Sequence, residues 1–419
     1  MIKKLKTDCG LNILLEEMPH VRSVGTAFFT ATGSINEDDS VSGISHAIEH
    51  MMFKGTSRRT PKEIAGDVDK IGGSMNAFTG KEMTCYHVKS IVDKFEDVCD
   101  VLSDMITDSK FDEDELEREK KVINEEISMI EDVPEDIGHD LLLCEVFRGT
   151  GFESPVIGTR DSVNSITRDS ILKYLENQYA KDSMLISVVG NVDEKRVMNF
   201  FNGKFEKFAA KKKGLTGLEE VQPGNVAHLI KRKDIEQAHL FLGIRTPEID
   251  NELQLPLRVV TNLFGGSMSS RLFQRIREEK GLAYSVYSSV SAYRRTGMFG
   301  IYAGVSNEKT ERALQGIFDE LKKIKSCGID TDEINSAKMQ LKSAYSFNSE
   351  SPMGRMFYIG RSQLLRGFVP TEQEFFDSID AITNEDLERA IDLICDPALY
   401  SAVGVVSENA NLNFADVIA

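Results

Sequence analysis

A chain of 419 residues is longer than one hydrophobic core usually supports, so two or more domains are expected. With 41% hydrophobic and 28% charged residues it reads as a globular protein, and a net charge of −17 argues against nucleic acid as the main partner. No apolar run approaches the roughly eighteen residues that cross a bilayer, so neither a transmembrane helix nor a membrane partner is expected.

The opening segment MIKKLKTDCGLNILLEEMP has no apolar core long enough for a signal peptide and lacks the Arg- and Ser-rich character of a transit peptide. The six cysteines are scattered without CxxC spacing and read as reduced thiols. Both features point to a cytoplasmic protein. Leu11–Leu15 alternates apolar and polar residues, and Val24–Gly33 is rich in β-branched and aromatic ones, so the two are expected as neighbouring antiparallel strands. The run GISHAIEHMMFKGT predicts a helix over Gly43–Phe53, ended by Gly55-Thr56. Thr60 as N-cap and Pro61 at the first position start a second helix that runs to about Ile71. Gly72-Gly73 breaks it, and Ser74–Phe78 and Thr84–Ser90 read as two strands joined by a turn at Thr79-Gly80. Helices over Lys94–Ser109 and Glu113–Ile130 follow, then a helix capped by Thr167 and an apolar strand, Met184–Gly190.

A Lys-, Gly- and Pro-rich stretch reads as a linker, placed at 211–225, after which the pattern returns. AHLFLGIRT (Ala238–Thr246) answers Gly25–Gly33. The segment FDEDELEREKKVINEE answers IDTDEINSAKMQLKSAY at an offset of 218 residues, and SITRDSILKYL answers AITNEDLERAI at 216. Near-constant offsets imply two structurally homologous domains, 1–210 and 226–419, of α+β class, each a mostly antiparallel sheet packed with helices.

Chemistry concentrates in His46-Ala47-Ile48-Glu49-His50. Two histidines four apart share a helix face with a glutamate beside them, which suits a divalent metal held by two imidazoles and a carboxylate that acts on water there. The spacing HxxEH reverses that of the zinc-peptidase HExxH. A third ligand follows from the helix after Glu113, whose apolar stripe at heptad-like spacing runs Leu116, Glu119, Ile123, Glu126, Ile130, with glutamates on two of its five seats. Carboxylates on core-facing seats are costly unless paired or bound to metal, the alternative being a rotated stripe with both glutamates wet. In the second half the same seats hold Ile334, Ala337, Leu341 and Ala344, and no histidine follows His239. These seats therefore read as buried, with metal chemistry confined to the first half. Glu126 is taken as ligand with His46 and His50, Glu119 as the partner orienting a histidine, and Glu49 as the general base. Glu125 faces away from the stripe. His20, His87, His139 and His228 read as ordinary histidines.

With HAIEHMMFKGT, a 76-residue spacing from His50 to Glu126, EREKKVINEE, GGSMNAFTGKEMTCYH and SSRLFQRIREEKGLAYSV, the chain resembles the pitrilysin-type zinc peptidases. The likeness is to their half-length branch, which includes mitochondrial processing peptidase and bacterial relatives. The resemblance implies one Zn2+ per chain on His46, His50 and Glu126, with Glu49 as base. It implies a substrate peptide added as a strand beside Ser74–Phe78, with Asn76, Ala77 and Phe78 as substrate-binding residues. It further implies that Arg277 and Tyr284 contact the substrate backbone and the tetrahedral intermediate. Full-length members close two bowl-shaped halves around a chamber, so this chain resembles one half, and a homodimer is implied. One departure is GFESPVIGT (Gly151–Thr159), where relatives often carry a His-Pro-Leu-Gly-like loop. The reading is a zinc metalloendopeptidase acting on peptides or extended, unfolded segments. The alternatives are a non-catalytic scaffold subunit on the same fold and a purely structural zinc site.

Overall fold

A computed structural model of the chain describes residues 1–212, 226–233 and 235–410. The expected linker therefore lies, from residue 213 on, outside the described residues. Two compact units are present, and each takes in a segment from the other half of the sequence. The first comprises the described residues of Met1–Ser128, Ser154–Gly217 and Phe347–Val369, and the second those of Met129–Glu153, Leu218–Ser346 and Pro370–Ala419.

The first unit is built on strands β1 (Ile2–Lys6), β2 (Asn12–Glu17), β3 (Ser23–Thr30), β4 (Ser74–Thr79), β5 (Thr84–Ile91) and β6 (Met184–Gly190). Their order is β1-β2-β6-β3-β5-β4, with β6 parallel to β2 and antiparallel to β3. This corrects the expectation that Leu11–Leu15 and Val24–Gly33 are neighbours, because β6 lies between them. Every residue of β6 and all but the first of β3 are buried. Strands apolar on both faces gain most at the sheet centre, so these two pair with each other and β2 is displaced outward. The edge strand β1 is Lys-rich and half exposed, a composition without a clear strand signal.

One face of this sheet packs on helices α1 (Ile44–Met52), α2 (Pro61–Lys70), α3 (Phe95–Asp108) and α4 (Glu113–Asp132) through a core that includes Phe28, Ile48, Met51, Met105 and Ile123. α2 begins where expected, with Thr60 and Glu63 in a reciprocal capping box and Pro61 at its first position. The opposite face, bearing Ala27, Phe29 and Leu185, is covered by the helix Pro352–Arg366. A Cβ on Gly360 would stand 2.2 Å from the Phe29 ring, so only glycine lets this helix lie on the strand.

The second unit carries β7 (Ala227–Arg232), β8 (Gln237–Thr246), β9 (Ala283–Ala292), β10 (Gly297–Ser306) and β11 (Ser401–Ser407) in the order β7-β11-β8-β10-β9. β11 is parallel to β7 and antiparallel to β8, the relation β6 has to β2 and β3. Helix α5 (Pro134–Val146) lies on β8 and β11, with Gly138 over Phe241, where a Cβ would stand 2.1 Å from the ring. Each unit thus repeats one device, a helix from the other half of the sequence laid across its sheet with a glycine above a phenylalanine. The two α+β units match in strand order and in this helix as well as in sequence.

Candidate active site

The motif helix is held at its start by a buried carboxylate. Gly43 adopts φ +92 with Ile157 O 2.5 Å from where a Cβ would sit, a backbone that favours glycine. Glu37 then accepts the Gly43 N–H at 2.6 Å and the Ser45 N–H at 2.8 Å, satisfying donors that the first turn leaves unpaired. Burial pushes the Glu37 carboxyl up to about 7, with the two backbone N–H bonds pulling the other way. A raised acid pKa contributes stability that is fully present below the unfolded value near 4.5 and is lost as pH rises through about 7, roughly 3 kcal/mol in all. The melting temperature of the metal-free wild type, relative to Glu37→Gln, is therefore expected to fall between pH 4.5 and 7. A difference that stays flat across that window removes Glu37 as its source.

One turn further on, α1 presents His46, Glu49 and His50, all half buried. α4 runs beside it with Leu116, Ile123 and Ile127 in the core. Glu119 is only 6% exposed and lies on the same side, with its Oε2 3.1 Å from His50 Nδ1. Glu126, two turns later, is half exposed at 38% and brings its Oε2 within 3.5 Å of His50 Nε2 and 3.8 Å of His46 Nε2. The stripe therefore corrects the expectation of five equivalent core seats. Ile127, not Ile130, is buried, and in the second half Ala337 is buried while Ala344 is exposed. A straight helix drifts by about 20° per heptad, enough to turn the later seats out of the core. That drift leaves Glu126 at the edge of the core, where a carboxylate can face both a metal and solvent. Glu125 is exposed.

Ligand-type atoms of His46, His50 and Glu126 all lie within 4.8 Å of one another, the one such group among the described residues. Ligands of a tetrahedral zinc stand about 3.4 Å apart, so the 3.5 and 3.8 Å separations accept such an ion with little movement. Burial, and secondarily the neighbouring His50, pushes the His46 imidazole down to about 4, so at neutral pH it is unprotonated, as a ligand must be. Two imidazoles and one carboxylate are a donor set that suits a divalent metal ion.

Glu49 accepts a hydrogen bond from Thr79 Oγ1 at 2.5 Å. Burial raises its carboxyl above the ordinary glutamate range, while the Thr79 bond and His50 oppose that rise. A partly desolvated carboxylate beside a metal-type group is placed to exchange a proton with water. Thr79 closes β4, the last strand of its sheet and the one nearest α1. Along β4 the side chains alternate, so Met75 and Ala77 share the core side with Thr79, while Asn76 and the 37%-exposed Phe78 point to the other. Phe78 lies 5.9 Å, ring to ring, from Phe357. The Asn76 side-chain oxygen takes the Ala77 N–H at 2.8 Å. Arg277 and Tyr284 belong to the second unit. Arg277 sits in a π-helical segment, Phe273–Glu279, with its guanidinium 4.7 Å from the Phe273 ring. Tyr284 stands near the start of the edge strand β9 and is 65% exposed. Glu37, Lys54 and Thr79 had not been singled out from the sequence. Only Thr79 carried a signal, its place in the alternation after Met75 and Ala77. Among the described residues no helix is long and apolar enough to cross a membrane.

Residues 12–160 match the family model described as insulinase (peptidase family M16), and residues 165–341 match that of the peptidase M16 inactive domain. The chain is 40% identical to the uncharacterized zinc protease YmxG of Bacillus subtilis over 92% of its length and 93% of the relative's. It is 34% identical to an uncharacterized zinc protease of Streptomyces coelicolor over 98% of its length and 91% of the relative's. In fold it is similar to a protease from Helicobacter pylori, with a TM-score of 0.89 at 20% identity, covering 97% of this chain and 99% of that one. It is equally similar to a protein from Pseudomonas fluorescens solved as a peptidase M16 inactive domain, with a TM-score of 0.89 at 18% identity and coverage of 98% and 100%.

Proposed function

The chain belongs to peptidase family M16, as a half-length, pitrilysin-type member, and from that premise we propose that it is a zinc-dependent metalloendopeptidase acting on peptides or extended segments. The observation that carries this reading is the convergence of His46, His50 and Glu126 with Glu49 on the same helix as both histidines. His46 Nε2, His50 Nε2 and Glu126 Oε2 would hold the zinc, one ion per chain. A zinc ion bound there supplies Lewis-acid polarisation of a carbonyl and of water. Glu49 takes the proton from the attacking water and returns it to the leaving amine, while Thr79 keeps its carboxylate aimed. Glu119 fixes the ring of His50. Arg277 and Tyr284 are proposed to meet the substrate, and their exposed positions leave both open to a ligand.

The substrate is proposed to add to the free edge of β4 as an extra strand, which makes folded proteins poor substrates. The Ala77 N–H, which bonds the neighbouring side chain of Asn76, is a donor such a strand can take over. Ala77→Pro removes that donor, at an edge position where proline is tolerated, so KM is expected to rise about three- to tenfold with kcat within twofold. An unchanged KM in peptide kinetics argues against docking on this edge. A homodimer is proposed from the half-length form, and sedimentation velocity tests it.

Metal analysis with a quenched-peptide assay, before and after chelation, tests the whole reading. One zinc per chain with activity lost on chelation and regained on zinc addition is expected. Zinc without turnover on any peptide favours a structural zinc site, and the absence of both zinc uptake and turnover overturns the peptidase reading in favour of the scaffold alternative.

A further inference from the structure

Lys54 lies just past the last turn of α1, four residues after His50. Its backbone N–H closes the helix on the Met51 carbonyl at 3.1 Å, and Gly55, at φ +110, turns the chain. The Gly55 carbonyl accepts the Lys110 N–H at 3.1 Å, and Thr56 bridges to Ser109. These bonds fasten the end of α1 to the segment that leads into α4, so the lysine side chain reaches α4 from a fixed start. Its ammonium meets Glu119 Oε1 at 2.7 Å, while Glu119 Oε2 faces His50 Nδ1 at 3.1 Å. With Glu119 only 6% exposed, its two oxygens depend on these two partners more than on water.

We infer that Lys54 is a positioning residue for the metal centre, acting through Glu119 on the imidazole of His50. The inference rests on the zinc reading above. Holding Oε1 leaves Oε2 directed at Nδ1 of His50, which then carries the ring proton, and Nε2 keeps its lone pair toward the metal position. Without the ammonium, a buried carboxylate oxygen has lost its partner, and Glu119 gains by rotating toward another donor. The His50 ring then loses its fixed orientation. A lysine that merely solvates the surface predicts none of this.

The test is the zinc dissociation constant of the full chain, measured by competition with a chromophoric chelator, together with the visible spectrum of the cobalt-substituted protein. Lys54→Met is expected to weaken zinc about tenfold and alter the cobalt bands, within the range usual for groups that support a metal ligand. Lys54→Arg, which restores a cation to Glu119, is expected to stay within about threefold of wild type. In a Glu119→Gln background, Lys54→Met is expected to change affinity by less than about twofold, because the path through the carboxylate is already broken. Where Lys54→Met does not fold, Lys54→Gln carries the same expected loss. Wild-type affinity in both charge-removing variants, or an equal loss in the Glu119→Gln background, overturns the inference and leaves the zinc reading standing. A wild-type chain that takes up no zinc overturns both.

Discussion

Glu49→Gln is expected to keep the zinc content of the wild type and to lower kcat on a peptide substrate by about three orders of magnitude. The expectation follows from what the substitution leaves in place. The amide has the shape of the carboxyl and can still accept the Thr79 hydroxyl, so α1 and β4 stay where they are. His46, His50 and Glu126 do not depend on Glu49, so metal binding persists. What is lost is a group that can take a proton from water and return it to the leaving amine. Positioned acid–base catalysis contributes about 10²- to 10⁴-fold, and one carboxylate in both roles belongs toward the upper end. Metal analysis beside steady-state kinetics reads both halves of the expectation. Turnover near wild type removes Glu49 from the mechanism, whatever the zinc content.

Local signals in the sequence located most of this site. HxxEH fixes two imidazoles and a carboxylate on one helix face, and the capping residues Thr60 and Thr167 mark helix starts that the structure contains. Glu119 stood out because a carboxylate on a core seat needs a partner, and it has two. Features that depend on distant chain segments were not legible. β6 is separated from β2 and β3 by more than a hundred residues, and no local pattern says that it enters between them. The helices Pro134–Val146 and Pro352–Arg366 went unassigned, although each covers a sheet built from the other half of the sequence. Each carries a glycine in mid-helix, which reads as a break until the phenylalanine beneath it is seen. Glu37, among neighbouring acids, and Lys54, after a helix end, look like solvated charges. The turn back to the start of α1 gives Glu37 two backbone partners, and packing against α4 gives Lys54 the buried Glu119.

Glu126→Gln is expected to abolish zinc binding at micromolar metal, a loss of at least about a hundredfold, while Glu125→Gln binds as the wild type does. The two glutamates are neighbours on α4, yet a helix turns about 100° between them, so Glu126 faces the histidines and Glu125 faces solvent. An amide oxygen is a neutral, weaker donor to a divalent ion, and His46 and His50 alone leave two coordination positions without protein ligands. Thermal unfolding reads the difference without any assay of activity. A ligand that binds only the folded chain stabilises it by RT ln(1 + [L]/Kd), about 2.7 kcal/mol at a hundred times Kd, so zinc raises the melting temperature of the wild type and of Glu125→Gln by several degrees. Glu126→Gln is expected to show no zinc-dependent shift and no stoichiometric metal after dialysis. The reverse pattern, a shift kept in Glu126→Gln and lost in Glu125→Gln, moves the third ligand to Glu125 and requires α4 to rotate in the metal-bound state. Loss in neither variant leaves His46 and His50 as the only necessary ligands, and a third must then come from outside the group that the fold assembles here.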